Sequence, residues 1–211
     1  MSENTNYIYL SGVISSPPEF SHSIYGENFY RLFLSVKRLS GVEDTVPVTV
    51  SERILPATAV ERGAHYSVIG QVRSYNQRDS SSSKLIITVF AREMIQDVNA
   101  DRDADCNECE LLGFICKPVI YRTTPFSREI SDVLLAVNRN YGKSDYLPCI
   151  AWGRNARYLN KLTVGSELYV VGRLQSRDYK KLLDNGEIET RIAYEISCSS
   201  LELIERDKDD V

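Results

Sequence analysis

The stretch LPCIAWGRNARYLNKLTVGSELYVVGRLQSRDYKK, residues 147–181, decides the fold. Leu147 to Ala151 is a short run with β-branched and apolar residues, and Glu167 to Leu174 alternates like a strand with one face buried. Between them lies Arg154-Asn-Ala-Arg-Tyr-Leu-Asn-Lys-Leu162, whose Ala156, Leu159 and Leu162 recur at helical spacing and stop before Gly165. The segment therefore reads strand, short helix, strand.

Working outward, the same pieces occur twice. LSGVISSP (10–17) matches LLGFICKP (111–118), which places Gly12 on Gly113 and Pro17 on Pro118. Leu34 with Leu135, Val36 with Val137, Arg38 with Arg139 and Pro47 with Pro148 keep this offset of 101. One inserted residue later, Gly63 matches Gly165 and Gly70 matches Gly172. An internal repeat of this period means two copies of one unit. Residues 97–105, DVNADRDAD, hold four aspartates and one arginine with little apolar content, the composition of a solvated linker. The chain divides into domain one, 1–96, a linker, 97–106, domain two, 107–204, and a short acidic tail, 205–211.

Each copy is expected to hold five strands. In the first they are Tyr7–Ile14, Tyr30–Val36, Val46–Val50, Tyr66–Val72 and Lys84–Phe90; in the second, Glu110–Cys116, Asp132–Val137, Leu147–Ala151, Glu167–Leu174 and Thr190–Ser197. Five strands with one helix between the third and fourth is the order of the OB-fold, a small Greek-key barrel. The expected class is all-β, with two tandem OB-folds. In the first copy the helix counterpart, Glu52 to Arg62, is interrupted by Pro56, so a shorter or distorted helix is expected there.

Composition narrows the function. Of 211 residues 43% are hydrophobic and 26% charged, as in ordinary globular proteins. No apolar run reaches the roughly 18 residues that span a bilayer, and Met1–Asn6 lacks the basic and apolar regions of a signal peptide, so a cytoplasmic chain without a membrane partner is expected. Net charge is −4, which argues against a wholesale histone-like grip on nucleic acid. That charge is unevenly placed. The linker and tail hold 8 acidic and 3 basic residues, while domain one has 9 of each and domain two has 13 basic and 12 acidic. Cys106 and Cys109 have the spacing of half a zinc site, but no second pair is near and His22 and His65 are distant, so plain thiols are expected, with no metal and no cofactor. Nothing gathers a nucleophile, a base and oxyanion donors, and an enzyme is not expected.

One strand face points to a binding surface. On the fourth strand of domain two, Leu168, Val170, Gly172 and Leu174 fall on one side; Tyr169, Val171, Arg173, Gln175, Arg177 and Tyr179 fall on the other, continued by Lys180 and Lys181. The third strand groups Tyr146, Pro148, Ile150 and Trp152 opposite Leu147, Cys149 and Ala151. Cations for phosphates and flat rings for bases are what a single strand needs, and stacking contributes about 1–3 kcal/mol per base without reading sequence. A tyrosine on a strand also serves as a half-buried packing residue, and Trp152 suits a DNA strand, a subunit interface or the core.

From about Ala136 to Ser197, through the opening stretch, the chain resembles the bacterial single-stranded DNA-binding protein family; domain one does so faintly, through VERGAHYSVIGQVRS (60–74). The resemblance implies sequence-tolerant binding of single-stranded DNA in replication, recombination or repair, in association with the bacterial nucleoid. It places base-stacking rings at Tyr141, Tyr146, Trp152 and Tyr179, with Arg139, Lys143, Arg154, Arg173, Arg177, Lys180 and Lys181 as phosphate contacts. The repeat sets these four rings against Ser40, Thr45, Ser51 and Gln77, so domain one is expected to be a degenerate, structural copy, with Arg38, Arg73 and Tyr75 as an auxiliary surface. Family members assemble four OB-folds, which implies a homodimer of this two-barrel chain. They also dock replication and repair proteins through an acidic tail with an apolar tip; here residues 205–211 have the acid and not the tip. A primosomal accessory protein, or a barrel pair that binds only other proteins, stands as the alternative.

Overall fold

In the computed structural model, which describes residues 6–56, 59–79, 82–182 and 186–205, the described residues form eleven strands and one α-helix in two closed barrels. The first barrel comprises β1 (Asn6–Ile24), β2 (Glu27–Lys37), β3 (Glu43–Ser51), β4 (His65–Asp79) and β5 (Ser82–Gln96). β1 pairs with β2, β2 with β3, β3 with β5, β5 with β4 and β4 with β1; only β3–β5 is parallel. The second comprises β6 (Cys106–Ile115), β7 (Ile120–Thr123), β8 (Glu129–Asn138), β9 (Ser144–Trp152), α1 (Arg154–Leu159), β10 (Glu167–Leu182) and β11 (Ile188–Leu203). It closes in the same order, with β9–β11 parallel. This is the OB topology twice.

Alternation along the strands fills each barrel. Leu32, Leu34, Val46 and Val48 are fully buried in the first, as are Leu135, Leu147, Leu168 and Leu174 in the second. The matched glycines mark places where strands cross too closely for a side chain. A Cβ on Gly12 would lie 2.5 Å from the carbonyl of Ser35, and one on Gly113 would lie 2.6 Å from that of Ala136; Gly70 and Gly172 meet Phe90 and Ser197 in the same way.

Two expectations need correction. Between β3 and β4 there is no helix among the described residues: the amides of Ile54 and Leu55 bond the carbonyl of Ser51, and the turn stops at Pro56, which has no N–H to continue it. In the second barrel α1 does form, with Ala156 and Leu159 buried and the Ala156 carbonyl accepting from Ser131 Oγ at 2.8 Å. The linker is also less solvated than its composition suggests. Asp105 is buried against the first barrel, within 3.0 Å of His65 Nε2, and accepts the Lys37 amide at 2.7 Å, while Arg102 closes on it at 3.1 Å. The tail beyond Glu205 lies outside the described residues.

The barrels are joined by an edge and a pair of clasps. β1 pairs antiparallel with β6, Asn6 opposite Leu111 through Ser11 opposite Cys106, so one eleven-stranded sheet runs through both. Asn6 exchanges two bonds with the backbone of Val72, and Asn107, 101 positions on, does the same with Leu174. Beside this seam each barrel lends the other an aspartate. Asp145 is fully buried, bonded by Arg139 of its own barrel and by Arg73 and the Ser74 amide of the other. In return Ser74 Oγ accepts the Tyr146 amide at 2.7 Å. The mirror image is Asp44, bonded by Arg38 and by the Ser176 amide, with Ser176 Oγ accepting from Thr45 N at 3.2 Å.

A buried carboxylate held by arginine is costly to break from one side, because the partner charge is left in a dry site. Asp145→Ala is therefore expected to lower the unfolding free energy by about 3–5 kcal/mol, read by urea denaturation; a loss below about 1 kcal/mol would show that the clasp is not structural. A second outcome concerns pH. Tyr169 on β10 donates its hydroxyl to Glu110 at 2.5 Å, and this bond, with burial and neighbouring carboxylates, pushes the phenol up to about 12. Its contribution is fully present below the ordinary phenol value near 10 and fades as pH rises from there through about 12. Tyr169→Phe is expected to flatten the fall of stability across that window.

Candidate nucleic-acid interface

On the second barrel, β9 presents the alternation read from the sequence at its ends but not at Ile150, which was expected on the outward face and is buried. Leu147, Cys149 and Ala151 point into the core, while Tyr146 is 47% and Trp152 42% exposed at opposite ends of the strand. A rise of about 3.3 Å per residue separates these rings by roughly 20 Å. Trp152 stands across from Ile130 just before Gly153, whose positive φ of 54° turns the chain into α1; Arg154, the helix's first residue, is exposed. Tyr141 lies in a 3₁₀ turn, Asn140–Gly142, and its side chain falls outside the described residues.

A larger feature lies between the barrels. An open groove of about 1850 Å³ has β2, β3 and β5 of the first barrel as its floor and the β4–β5 and β10–β11 hairpins as its walls. This exceeds the roughly 300–1,000 Å³ of small-molecule sites and suits a polymer. Nine lysines and arginines line it against one carboxylate, Glu189. Four of the nine are engaged: Arg73 and Arg139 by Asp145, Arg177 by Glu195 at 3.5 Å and Arg191 by Glu189 at 2.7 Å. Arg31, Lys84, Arg92, Lys143 and Lys181 make no ion pair among the described residues. Tyr75, Tyr179, Phe33 and Phe90 supply rings on the floor and walls, and the Arg31 guanidinium sits 5.9 Å from the Phe33 ring centre.

The residues singled out from the sequence are thus divided. Tyr179, Lys143, Arg177 and Lys181 of the second barrel meet Arg73 and Tyr75 of the first in the groove. Tyr146, Trp152, Arg154 and Lys180 lie outside it. Arg139 reaches its edge, but its guanidinium is locked on Asp145 and the Ser74 carbonyl, and Arg38 is held in the same way by Asp44. Both belong to the clasps, which explains why the repeat keeps them. Arg173 is half-buried, bonded to Gln175, and burial lowers its pKa from the ordinary guanidinium value. Arg31, Phe33, Lys84, Phe90 and Arg92 were missed. Alternation on YRLFLSV (30–36) was the available signal, since Arg31 and Phe33 flank the buried Leu32 and precede the buried Leu34.

The five cysteines are free, and burial raises the thiols of Cys106, Cys109 and Cys116; a bond to Cys198, then burial, raises that of Cys149. Among the described residues no three His, Cys, Asp or Glu side chains converge, and no helix is long and apolar enough to cross a membrane.

Residues 106–204 match the model of the Single-strand binding protein family. Over 106 residues, 47% of this chain, the sequence is 34% identical to Single-stranded DNA-binding protein 1 of Staphylococcus aureus (strain COL), and the match spans 61% of that relative's length. Over 107 residues it is 28% identical to Single-stranded DNA-binding protein 1 of Streptococcus pyogenes serotype M18, spanning 79% of it. The whole chain superposes on a crystal structure of a deletion mutant of the single-stranded DNA binding protein from Thermus aquaticus, with a TM-score of 0.77 at 22% identity, covering 100% of this chain and 99% of that one. Residues 106–204 are thus similar to the single-strand binding protein family, and the whole chain shares the fold of the Thermus aquaticus protein.

Proposed function

We propose that this protein binds single-stranded DNA without reading its sequence, performs no chemistry on it, and acts in replication, recombination or repair. One observation carries the reading: a chain of net charge −4 gathers nine cations and one carboxylate around an inter-barrel groove that also holds aromatic rings. Phosphates supply sequence-independent affinity through counterion release, and rings accept any base by its flat face. A duplex would bring its bases already stacked and paired, and would gain nothing from the rings. Fluorescence anisotropy of labelled oligo-dT, titrated with the full chain at several salt concentrations, tests this. With about 0.7 counterions released per single-strand phosphate, the five groove cations without ion pairs predict a log–log salt slope near −3.5. No binding at low salt would overturn the reading.

The family resemblance favours four barrels around a strand, and two copies of this chain supply them. The solvent face of the sheet that crosses the β1–β6 seam carries half-buried Tyr7, Tyr9 and Tyr169 and is the proposed contact between copies. Analytical ultracentrifugation is expected to give twice the 23.9 kDa chain mass. A monomer that stays a monomer when DNA is added would exclude the dimer.

A further inference from the structure

The repeat allows the two barrel faces to be compared position by position, and at the matched positions the first is the more cationic. On the second strand of each barrel, Arg31 in the first corresponds to Asp132 in the second and Phe33 to Leu134, at the offset of 101. On the fifth strand the ladders align Phe90 with Ser197, through their partners Gln71 and Arg173, and Thr88 with Glu195, through Arg73 and Gln175. One step further, Arg92 corresponds to Ser199. Across these five positions the first barrel shows two guanidiniums, two phenyl rings and a threonine where the second shows two carboxylates, a leucine and two serines.

The environment of these groups deepens the contrast. Arg31 and Arg92 are exposed and make no ion pair among the described residues. In the second barrel Asp132 is held by Arg122 at 2.8 Å, and Glu195 is buried, bonded to Gln175 at 2.8 Å and to Arg177 at 3.5 Å. Two arginines there serve their own carboxylates and are drawn away from a phosphate. The second barrel nevertheless contributes to the first barrel's face, because its β10–β11 hairpin places Tyr179, Lys181 and Tyr194 over the groove.

Resting on the single-strand reading above, we infer that the principal DNA seat is the outer face of the first barrel, roofed by the β10–β11 hairpin of the second. This seat lies mainly in the half of the chain that the family model does not reach, and it reverses the expectation that domain one is an auxiliary copy. Phosphates meet Arg31 and Arg92, and bases meet Phe33 and Phe90. Tyr146 and Trp152, on the second barrel's own face, contact the strand only after it leaves the groove.

Two double variants of the full chain test this by oligo-dT anisotropy across salt. Arg31→Ala with Arg92→Ala is expected to weaken binding about tenfold or more per arginine, and to reduce the salt slope by about 1.4. Both side chains are exposed, and an unchanged thermal unfolding curve would confirm that the barrel is intact. Tyr146→Ala with Trp152→Ala is expected to weaken binding less and to leave the slope unchanged. A larger loss in the tyrosine–tryptophan variant, or an unchanged slope in the arginine variant, would overturn the assignment of the seat. Failure of the unaltered chain to bind oligo-dT would instead remove the single-strand reading itself.

Discussion

Two buried aspartates hold the geometry on which the rest depends. Asp44 and Asp145 each sit at the start of a third strand, bind an arginine of their own barrel and accept a backbone amide from the fourth strand of the other. The β1–β6 ladder alone would join the barrels along one edge and leave them free to twist about it, as sheets do. The clasps fix that angle on both sides of the seam. They also fix where β4 and β10 emerge, and so where the two hairpins stand as walls of the groove. Low dielectric strengthens these bonds and makes either half costly without the other, so the two-barrel unit is expected to behave as one rigid body.

Much of this was legible from the residues alone. The strand–helix–strand pattern of 147–181 and the repeated glycines suffice for two OB barrels, because alternation, turn formers and close strand crossings are local properties. What escaped was non-local. Arg38 and Arg139 looked like free cations because their carboxylates, six residues away, become partners only when the loop between β2 and β3, or between β8 and β9, folds back. The first strand was expected to end at Ile14, but β1 runs on to Ile24 through Pro17 and Pro18, with register shifts between Ile14 and Glu19. In the second copy the chain does interrupt near Pro118, and β7 begins only at Ile120.

The site was harder to read than the fold for a related reason. Base-stacking positions were sought where the family keeps them, in the copy that resembles the family, and there Tyr146 and Trp152 do face solvent. The groove, however, is assembled from strands of one barrel and a hairpin of the other, more than a hundred residues apart in sequence. Alternation along Tyr30–Val36 placed Arg31 and Phe33 on an outward face, but no single-strand pattern reveals that β10 and β11 will stand over them.

Charge placement completes the account. The solvent face of the sheet across the β1–β6 seam carries Glu93, Glu108, Glu110 and Glu202 in cross-strand register with Ile69, Tyr9, Tyr7 and Tyr169. Phosphates approaching that face meet like charge at distances within a Debye length, about 8 Å at physiological salt, whereas the groove presents the opposite sign between its two hairpin walls. An acidic protein therefore need not repel a nucleic acid, because the linker and this sheet face carry carboxylates outside the groove while the groove's own lining holds nine cations against one carboxylate. The field then does two things at once: it keeps a polyanion off the acidic sheet face, and it draws the strand to the surface where rings await its bases.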